Sequence, residues 1–480
     1  MLLALTAFLP LGAALACVLV GRSRGLARVV ALIGAIGTAA AAMSLAFEVT
    51  AAQPAQLVWQ PFGEPGAVPL LLSADGLSLA FVLLTAVLGV VAVLVSWRTE
   101  ESAPALFALL MALEAALMTV FLAGDLVLFY VAWEAVLIPM FFLIGRFGHE
   151  GRRHAAMKFF IYTFAASAPM LAGVISAIVL TGSSALGPEA LALPAESQRW
   201  IFWLLAIGML VKLPVWPLHT WLPDAHVEAP TAGSIMLAGV LLKMGGYGLL
   251  RVAMPLAPAG FADAVPILAG LGIVGIVYGG LVALGQRDLK RLVAYSSVAH
   301  MGFVVLGIAT SGSEGIHGAV LAMVSHGFVA AMLFLLVGAL HERTHTRDLD
   351  ELGGLAATLP RWTAVLVFAA LASLGLPGLS GFPGELLVVL AGFSSFAWWM
   401  LPVALGMLLA AAYNLRAVRE SAYGPVSERW AGLRDLEPRE MLALAPLVVG
   451  TATLGIAPGL LQHLVEPALA PLISLIGGGS

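Results

Sequence analysis

Charge is scarce in this sequence. Only 10% of the 480 residues are Asp, Glu, Lys or Arg, 61% are hydrophobic, and the mean hydropathy is +1.01. A water-soluble domain is about one quarter charged, so this composition could not clothe a water-facing surface. The formal net charge is only −4 and the basic residues are scattered, which argues against a nucleic-acid partner. Cysteine is almost missing. Cys17 is the single one, which rules out a disulfide framework, an iron–sulfur cluster held by this chain alone and a Cys-rich zinc site. The first apolar run, Met1 to Gly21, lacks a positive leading segment and an Ala-x-Ala site before a soluble domain. It therefore reads as a membrane span and not as a signal peptide.

What the chain has in abundance is apolar runs. About 20 residues cross the hydrocarbon of a bilayer, and fourteen runs reach that length: 2–21, 27–47, 76–97, 103–121, 124–146, 156–181, 199–222, 230–252, 263–285, 290–310, 315–341, 361–394, 396–418 and 439–461. The expected fold is an all-α polytopic membrane protein of fourteen transmembrane helices. The twelfth run is too long for one straight span and contains Pro377, Gly378, Gly381, Pro383 and Gly384, so it reads as two half-helices around a break. The seventh has Pro214 and Pro217 at a comparable place. A short apolar tail follows the fourteenth.

Loop charges set the topology. The loops after odd-numbered spans carry Arg22, Arg24 and Arg28, Arg98, Arg146, Arg152 and Arg153, Arg287, Lys290 and Arg291, Arg343, Arg347 and Arg361, and then Arg416, Arg419, Arg429, Arg434 and Arg439; only Arg199 and Arg251 lie opposite. The rich side is expected to be cytoplasmic, which puts both termini outside a bacterial cytoplasmic membrane. Residues 48–75 lie outside, and Gly63-Glu-Pro-Gly66 between apolar runs suggests a hairpin. Residues 342–360, with HTRDLDELGG, form an inner connector.

A faint repeat relates Lys212-Leu-Pro214 in the seventh run to Gly375-Leu-Pro377 in the twelfth, five spans later. An odd-numbered repeat places its second copy upside down, the transporter arrangement of inverted halves with broken helices at the site. The expected division is 1–102 (spans one to three with the external loop), 103–255 (spans four to eight), 256–420 (spans nine to thirteen) and 421–480 (span fourteen and the tail).

Ionisable residues inside these runs are costly, by roughly 2.5 kcal/mol upward each, and mark functional pathways. Glu134 lies about ten residues from either end of its span, ~15 Å deep. Lys212 precedes the first proline of span seven. Lys243, His300 and His326 are near mid-span, and Glu385 follows the break in span twelve. All six fall at a similar depth, a candidate polar row in which water fills the gaps. A carboxylate favours a charged lysine beside it, and histidine passes protons near neutral pH. The row therefore suits proton relay, with Glu134 gating Lys212 and Glu385 as the terminal acceptor. The plainer reading of Glu134 and Lys212 is a structural ion pair, and of each histidine a packed helix contact. A second buried lysine and a second glutamate weigh against that. Lys158, near the start of span six, can snorkel to the interface. Asp125, His219, Asp224, His226 and Glu228 lie near span ends and read as structural. Gly270-Leu-Gly272-Ile-Val-Gly275 fits a dinucleotide fingerprint but sits inside an apolar span, where Gly275 and Gly279 read better as close helix packing.

The stretches FYVAWEAVLIPMFFLIGRFG, KFFIYTFAAS, KLPVWPLHTWLPDAHVEAPTAGSIMLAGVLLKMGGYGLLR, KRLVAYSSVAHMGF and HTRDLDELGGL closely resemble the antiporter-like M-type subunits of complex I, the proton-pumping NADH:quinone oxidoreductase, whose mitochondrial equivalent is chain 4. The resemblance is strongest over spans four to thirteen. It implies two inverted five-helix repeats, discontinuous helices seven and twelve, and relay roles for Glu134, Lys212, Lys243, His300, His326 and Glu385. Sister chains of L and N type usually carry lysine at the last position, so Glu385 favours the M type, as does the lack of a long lateral helix after span fourteen. The resemblance implies no NADH, FMN, Fe–S or quinone site in this chain, those belonging to partner subunits, and L- and N-type chains as membrane-arm neighbours. Two rivals stand beside it: a subunit of a multi-chain Na+/H+ antiporter, and a non-pumping scaffold.

Overall fold

The computed structural model describes residues 1–21, 23–49, 54–59, 70–186, 193–425 and 428–477. Each of the fourteen apolar runs contains helix. In chain order come α1 (Leu2–Leu19), α2 (Arg24–Glu48), the strands β1 (Ala55–Trp59) and β2 (Leu70–Ala74), α3 (Gly76–Val95), α4 (Ala103–Leu122), α5 (Leu126–Ala135), α6 (Leu137–Phe147), α7 (Arg152–Thr181), α8 (Ala195–Lys212) and α9 (Trp221–Glu228). Then follow α10 (Thr231–Met236), α11 (Lys243–Gly248), α12 (Met254–Leu256), α13 (Pro258–Leu284), α14 (Leu289–Ala309), α15 (Ser313–Thr344), α16 (Leu355–Thr358), α17 (Pro360–Ser373), α18 (Gly381–Phe396), α19 (Leu401–Ala422), α20 (Pro438–Ile456) and α21 (Gly459–Gly477). Among the described residues thirteen helical stretches are long and apolar enough to cross a membrane, with Gly381–Ala422 taken as one stretch. The protein is an all-α polytopic membrane protein.

Three features depart from smooth spans. The fifth run, expected as one helix, is divided at Val136. Pro139 has no N–H for the Ala135 carbonyl, and the Met140 N–H reaches Val136 at a stretched 3.4 Å. The eighth run contains two wide π-helical segments, Leu237–Leu241 and Leu249–Ala253, on either side of α11. Five glycines between Gly233 and Gly248 lower its α-helical preference. The tail expected after span fourteen is a 19-residue helix, α21; His463, Glu466 and two prolines interrupt its apolar run and hid it. By contrast the breaks in runs seven and twelve are where the prolines placed them: α8 stops at Lys212, and α17 and α18 are separated by residues 374–380. Gly375 and Gly378 in that gap have φ of +77° and +90°, a conformation in which a Cβ is strained.

The chain forms two compact units. The first holds residues 1–213, 240–266 and 461–480. In it α1 packs on α2 and α4, α3 on α4, α7 on α8, and α11 on α8. The strands pair antiparallel from Ala55 opposite Ala74 to Trp59 opposite Leu70. They form the expected hairpin, whose Gly63-Glu-Pro-Gly66 turn lies outside the described residues. Asp75 caps α3 by accepting from the Ser78 N–H and pairs with Arg251 at 2.6 Å. Arg199 pairs with Asp263. The two basic residues on the charge-poor side are thus both neutralised by acids.

The second unit holds residues 214–239 and 267–460. Its axis is α15, 32 residues long, against which α10, α14, α17, α18 and α20 pack. α13 meets α14 through small residues. A Cβ at Gly279 would come within 2.7 Å of the Ala299 nitrogen, and Gly272 and Gly302 face one another. This is the close packing expected of Gly275 and Gly279, and the apparent dinucleotide fingerprint lies within α13.

In the first unit, the approach of α11 to α8 depends on Gly245, where a Cβ would strike the Met209 carbonyl and Leu213. Backbone cannot give way as a side chain can. Gly245→Ala is expected to cost about 1–3 kcal/mol, read as a lower midpoint in thermal unfolding of the detergent-purified protein. Gly270→Ala, where a Cβ meets nothing within 4 Å, should leave that midpoint unchanged.

Candidate functional site

The first unit gathers Glu134, Lys212 and Lys243. Lys212 is the last residue of α8, because Pro214 and Pro217 prevent the helix from continuing. Its side chain is 1% exposed, and its Nζ has no hydrogen-bond partner among the described residues. Two features soften that burial. The carboxyl end of a helix carries a partial negative charge that favours a cation in its last turn. The Nζ also lies 5.7 Å from the ring centres of both Trp133 and Phe159, within cation–π range.

Glu134 is half-buried on α5, two residues before the division at Val136. The hydroxyls of Tyr130 and Ser167 stand near its carboxyl, the latter donating to the Phe164 carbonyl, and the carboxyl's charge acts on Lys212 through space. The two are electrostatically coupled without Lys212 being fixed by a hydrogen bond. Lys243 is fully buried and opens α11 between the two π-helical segments. Such segments recur at functional sites because a widened turn leaves carbonyls free for other partners.

The second unit gathers His300, His326 and Glu385. Glu385 sits one turn into α18, close to the positive amino end that favours a carboxylate. The break before α18 puts Ser373 and Glu385 on two sides of one ring. His300 Nδ1 is 3.0 Å from Glu385 Oε1, and His300 Nε2 is 3.2 Å from Ser373 Oγ. Tyr413 Oη stands 3.4 Å from the same Nε2. Asn414 donates to Ser373 Oγ at 3.2 Å. The His326 ring centre is 5.5 Å from that of His300, and Ser325 beside it donates to Ser380 in the break at 2.8 Å. Ser296, His300, Ser325, His326, Ser373 and Glu385 line a cavity of about 20 Å³, enough for one water molecule with polar partners on several sides.

The structure also places residues that the sequence left aside. Glu114 in the middle of α4 is fully buried. Neither carboxyl oxygen has a hydrogen-bond partner among the described residues, and only glycine at position 89 makes room for it. Its mid-span position in ALLMALEAALMTV was the available signal. Lys290, read as a loop charge, is buried and donates to the Val227 and Ala229 carbonyls at 3.3 and 2.6 Å. It thereby caps the carboxyl end of α9. Ser373, Tyr413 and Asn414 carried no signal, since nothing in the chain shows that three ordinary polar residues converge. The span-end residues behave as structural groups. Asp125 caps α5 and accepts from Leu71, His226 stacks on Phe334 and His219 stands edge-on to Tyr278.

An ion pair and a functional amine make opposite demands on stability. Removing one member of a buried contact pair costs about 3–5 kcal/mol, whereas removing an amine that no hydrogen bond compensates also removes its desolvation cost. Lys212→Met is expected to unfold at a temperature no lower than the parent protein in detergent. A marked drop would make the lysine structural.

Comparisons agree over nearly the whole chain. The family model described as NADH:quinone oxidoreductase/Mrp antiporter, transmembrane, matches residues 123–410. The chain is 39% identical to NADH-quinone oxidoreductase subunit M of Rhodobacter capsulatus, over 98% of its own length and 96% of that protein's. Its fold is similar to a chain of respiratory complex I from Thermus thermophilus with bound NADH, at a TM-score of 0.90 and 32% identity, covering 99% of this chain and 100% of that one. A chain of the Mrp complex from a Dietzia species has a TM-score of 0.83 at 27% identity, with 99% of this chain matching 52% of that one.

Proposed function

Since the chain belongs to the NADH:quinone oxidoreductase/Mrp antiporter family, in its subunit M/chain 4 branch, we propose that it moves protons across the bilayer through Glu134, Lys212, Lys243, His300, His326 and Glu385. It is a multi-pass membrane subunit of NADH-quinone oxidoreductase. The driving energy comes from redox chemistry in partner subunits, which hold the FMN, Fe–S and quinone sites. Its neighbours are other membrane-arm chains, of L and N type. The membrane is the bacterial cytoplasmic one, with both termini outside.

Lys212 carries this reading. It is a buried amine at a severed helix end, held by rings and a distant carboxylate but by no hydrogen bond among the described residues. A lysine so held stays charged while Glu134 is ionised and close, and tends to release its proton when that influence is withdrawn. Redox energy would act by changing the charge of Glu134 or the access of water to the pair. The proton then passes by Lys243 and the histidines to Glu385, and outward.

The likeness to the Mrp chain keeps cation/proton exchange as a second reading, with the same fold and another energy source. Co-purification with NADH-oxidising subunits decides between them. A scaffold role is separated by yield: relay substitutions would then reduce assembled complex and leave turnover per complex intact. The direct test uses inverted membrane vesicles. Lys212→Ala and Glu134→Gln should lower NADH-driven proton pumping by about 100-fold or more, with NADH oxidation by an artificial acceptor at the parent rate. Full pumping by a well-assembled Lys212→Ala complex would remove the mechanism.

A further inference from the structure

The residues around His300 fix more than its place. Asn414 lies on α19 and is 3% exposed. Its amide nitrogen has two hydrogens, and both are committed. One goes to the Ala410 carbonyl of its own helix at 2.9 Å and the other to Ser373 Oγ at 3.2 Å. The contact with a carbonyl identifies the atom as nitrogen. Ser373 Oγ is therefore an acceptor toward Asn414, and its own hydrogen turns either to His300 Nε2, 3.2 Å away, or to the Tyr413 oxygen, whose hydrogen is then left for the same nitrogen. The Tyr413 hydroxyl, 3.4 Å from the same nitrogen, can donate in the same sense. A neutral imidazole that accepts on Nε2 carries its hydrogen on Nδ1. That nitrogen faces Glu385 Oε1 at 3.0 Å.

We infer that Asn414, acting through the Ser373 hydroxyl, and Tyr413 are positioning residues that hold neutral His300 in the tautomer whose N–H is aimed at Glu385. This rests on the relay reading above and gives it a direction at one ring. An arriving proton binds the lone pair on Nε2, and the two hydroxyls turn to accept from it. The imidazolium then has a hydrogen on each nitrogen. The Nδ1 hydrogen moves to the Glu385 carboxylate, leaving a neutral carboxylic acid and a neutral ring. No bond to carbon changes. Before the next passage, once Glu385 has released its proton outward, the Nε2 hydrogen leaves to water in the adjoining cavity and Nδ1 takes one up from the same water. Asn414 favours that exchange by keeping the Ser373 oxygen occupied as an acceptor, so that the serine again offers a hydrogen to Nε2. Without Asn414, Ser373 would accept from Nε2–H equally well, and the ring could rest with its proton turned from Glu385.

The test uses the whole complex in proteoliposomes, with proton pumping and turnover per assembled complex as rates. Infrared difference spectra of ring-labelled histidine report the tautomer, and His300→Gln identifies the band. Asn414→Leu is close in size and lacks the amide. It is expected to pump about tenfold more slowly and to shift the His300 band toward the Nε2–H form. Because Asn414 acts through Ser373, the Ser373→Ala/Asn414→Leu double variant should be no slower than the slower single variant. An unmoved band, or losses that multiply in the double variant, overturns the inference. Should Asn414→Leu fail to assemble, Tyr413→Phe removes one oxygen only; it should shift the same band and slow pumping about threefold, and an unmoved band there overturns the inference equally. Parent-rate pumping by His300→Gln and Glu385→Gln would sink the relay itself. Loss in those two with no tautomer change in Asn414→Leu would sink only the positioning role.

Discussion

A charge in a low-dielectric interior needs something to replace water, and that requirement decides where these helices can be regular. The acids and amines proposed for the relay sit at irregular backbone. Glu134 adjoins the division at Val136, Lys212 ends a helix, Lys243 lies between two π-helical segments and Glu385 begins the second half of a broken helix. Each irregularity frees carbonyls or exposes a helix end, the only polar groups a membrane interior can supply without side-chain partners. The two histidines, which can be neutral, lie within the regular helices α14 and α15. Glu114 is the exception, a carboxyl in a regular helix with no hydrogen-bond partner among the described residues.

Within each unit, chemistry and scaffold meet through the same residues. In the first, glycines at 245 and 248 let α11 lie against α8, so the helix bearing Lys243 packs on the one that ends at Lys212. In the second, the gap between α17 and α18 brings Ser373 and Glu385 to opposite nitrogens of one imidazole. A straight helix could not present two residues twelve apart to one ring. The break in the twelfth run is therefore what makes the His300 site possible.

Much of this was legible in the chain. Prolines 214 and 217, and the Pro377-to-Gly384 cluster, announce the two large breaks because proline lacks an N–H and glycine tolerates positive φ. Mid-span depth singles out the six residues proposed for the relay. Pro139 held the same signal for the division at Val136, but an apolar run of ordinary length masked it. The π-helical segments were hidden because their cause is packing and glycine content, not one residue. Depth marks a residue as buried and does not say which face of its helix it occupies. Hence the chain alone does not single out Glu114, presents Lys290 as a loop charge, and hides the convergence of Ser373, Tyr413 and Asn414 on His300.

The central claim is that ionisable groups at half-depth are wetted and joined by water within each unit. The most direct measurement is a high-resolution electron-microscopy map of the whole complex in lipid nanodiscs. The account predicts ordered water density between Lys212 and Lys243 in the first unit, and in the cavity beside His300, His326 and Glu385 in the second. Dry, close-packed side chains walling these groups from one another would contradict it.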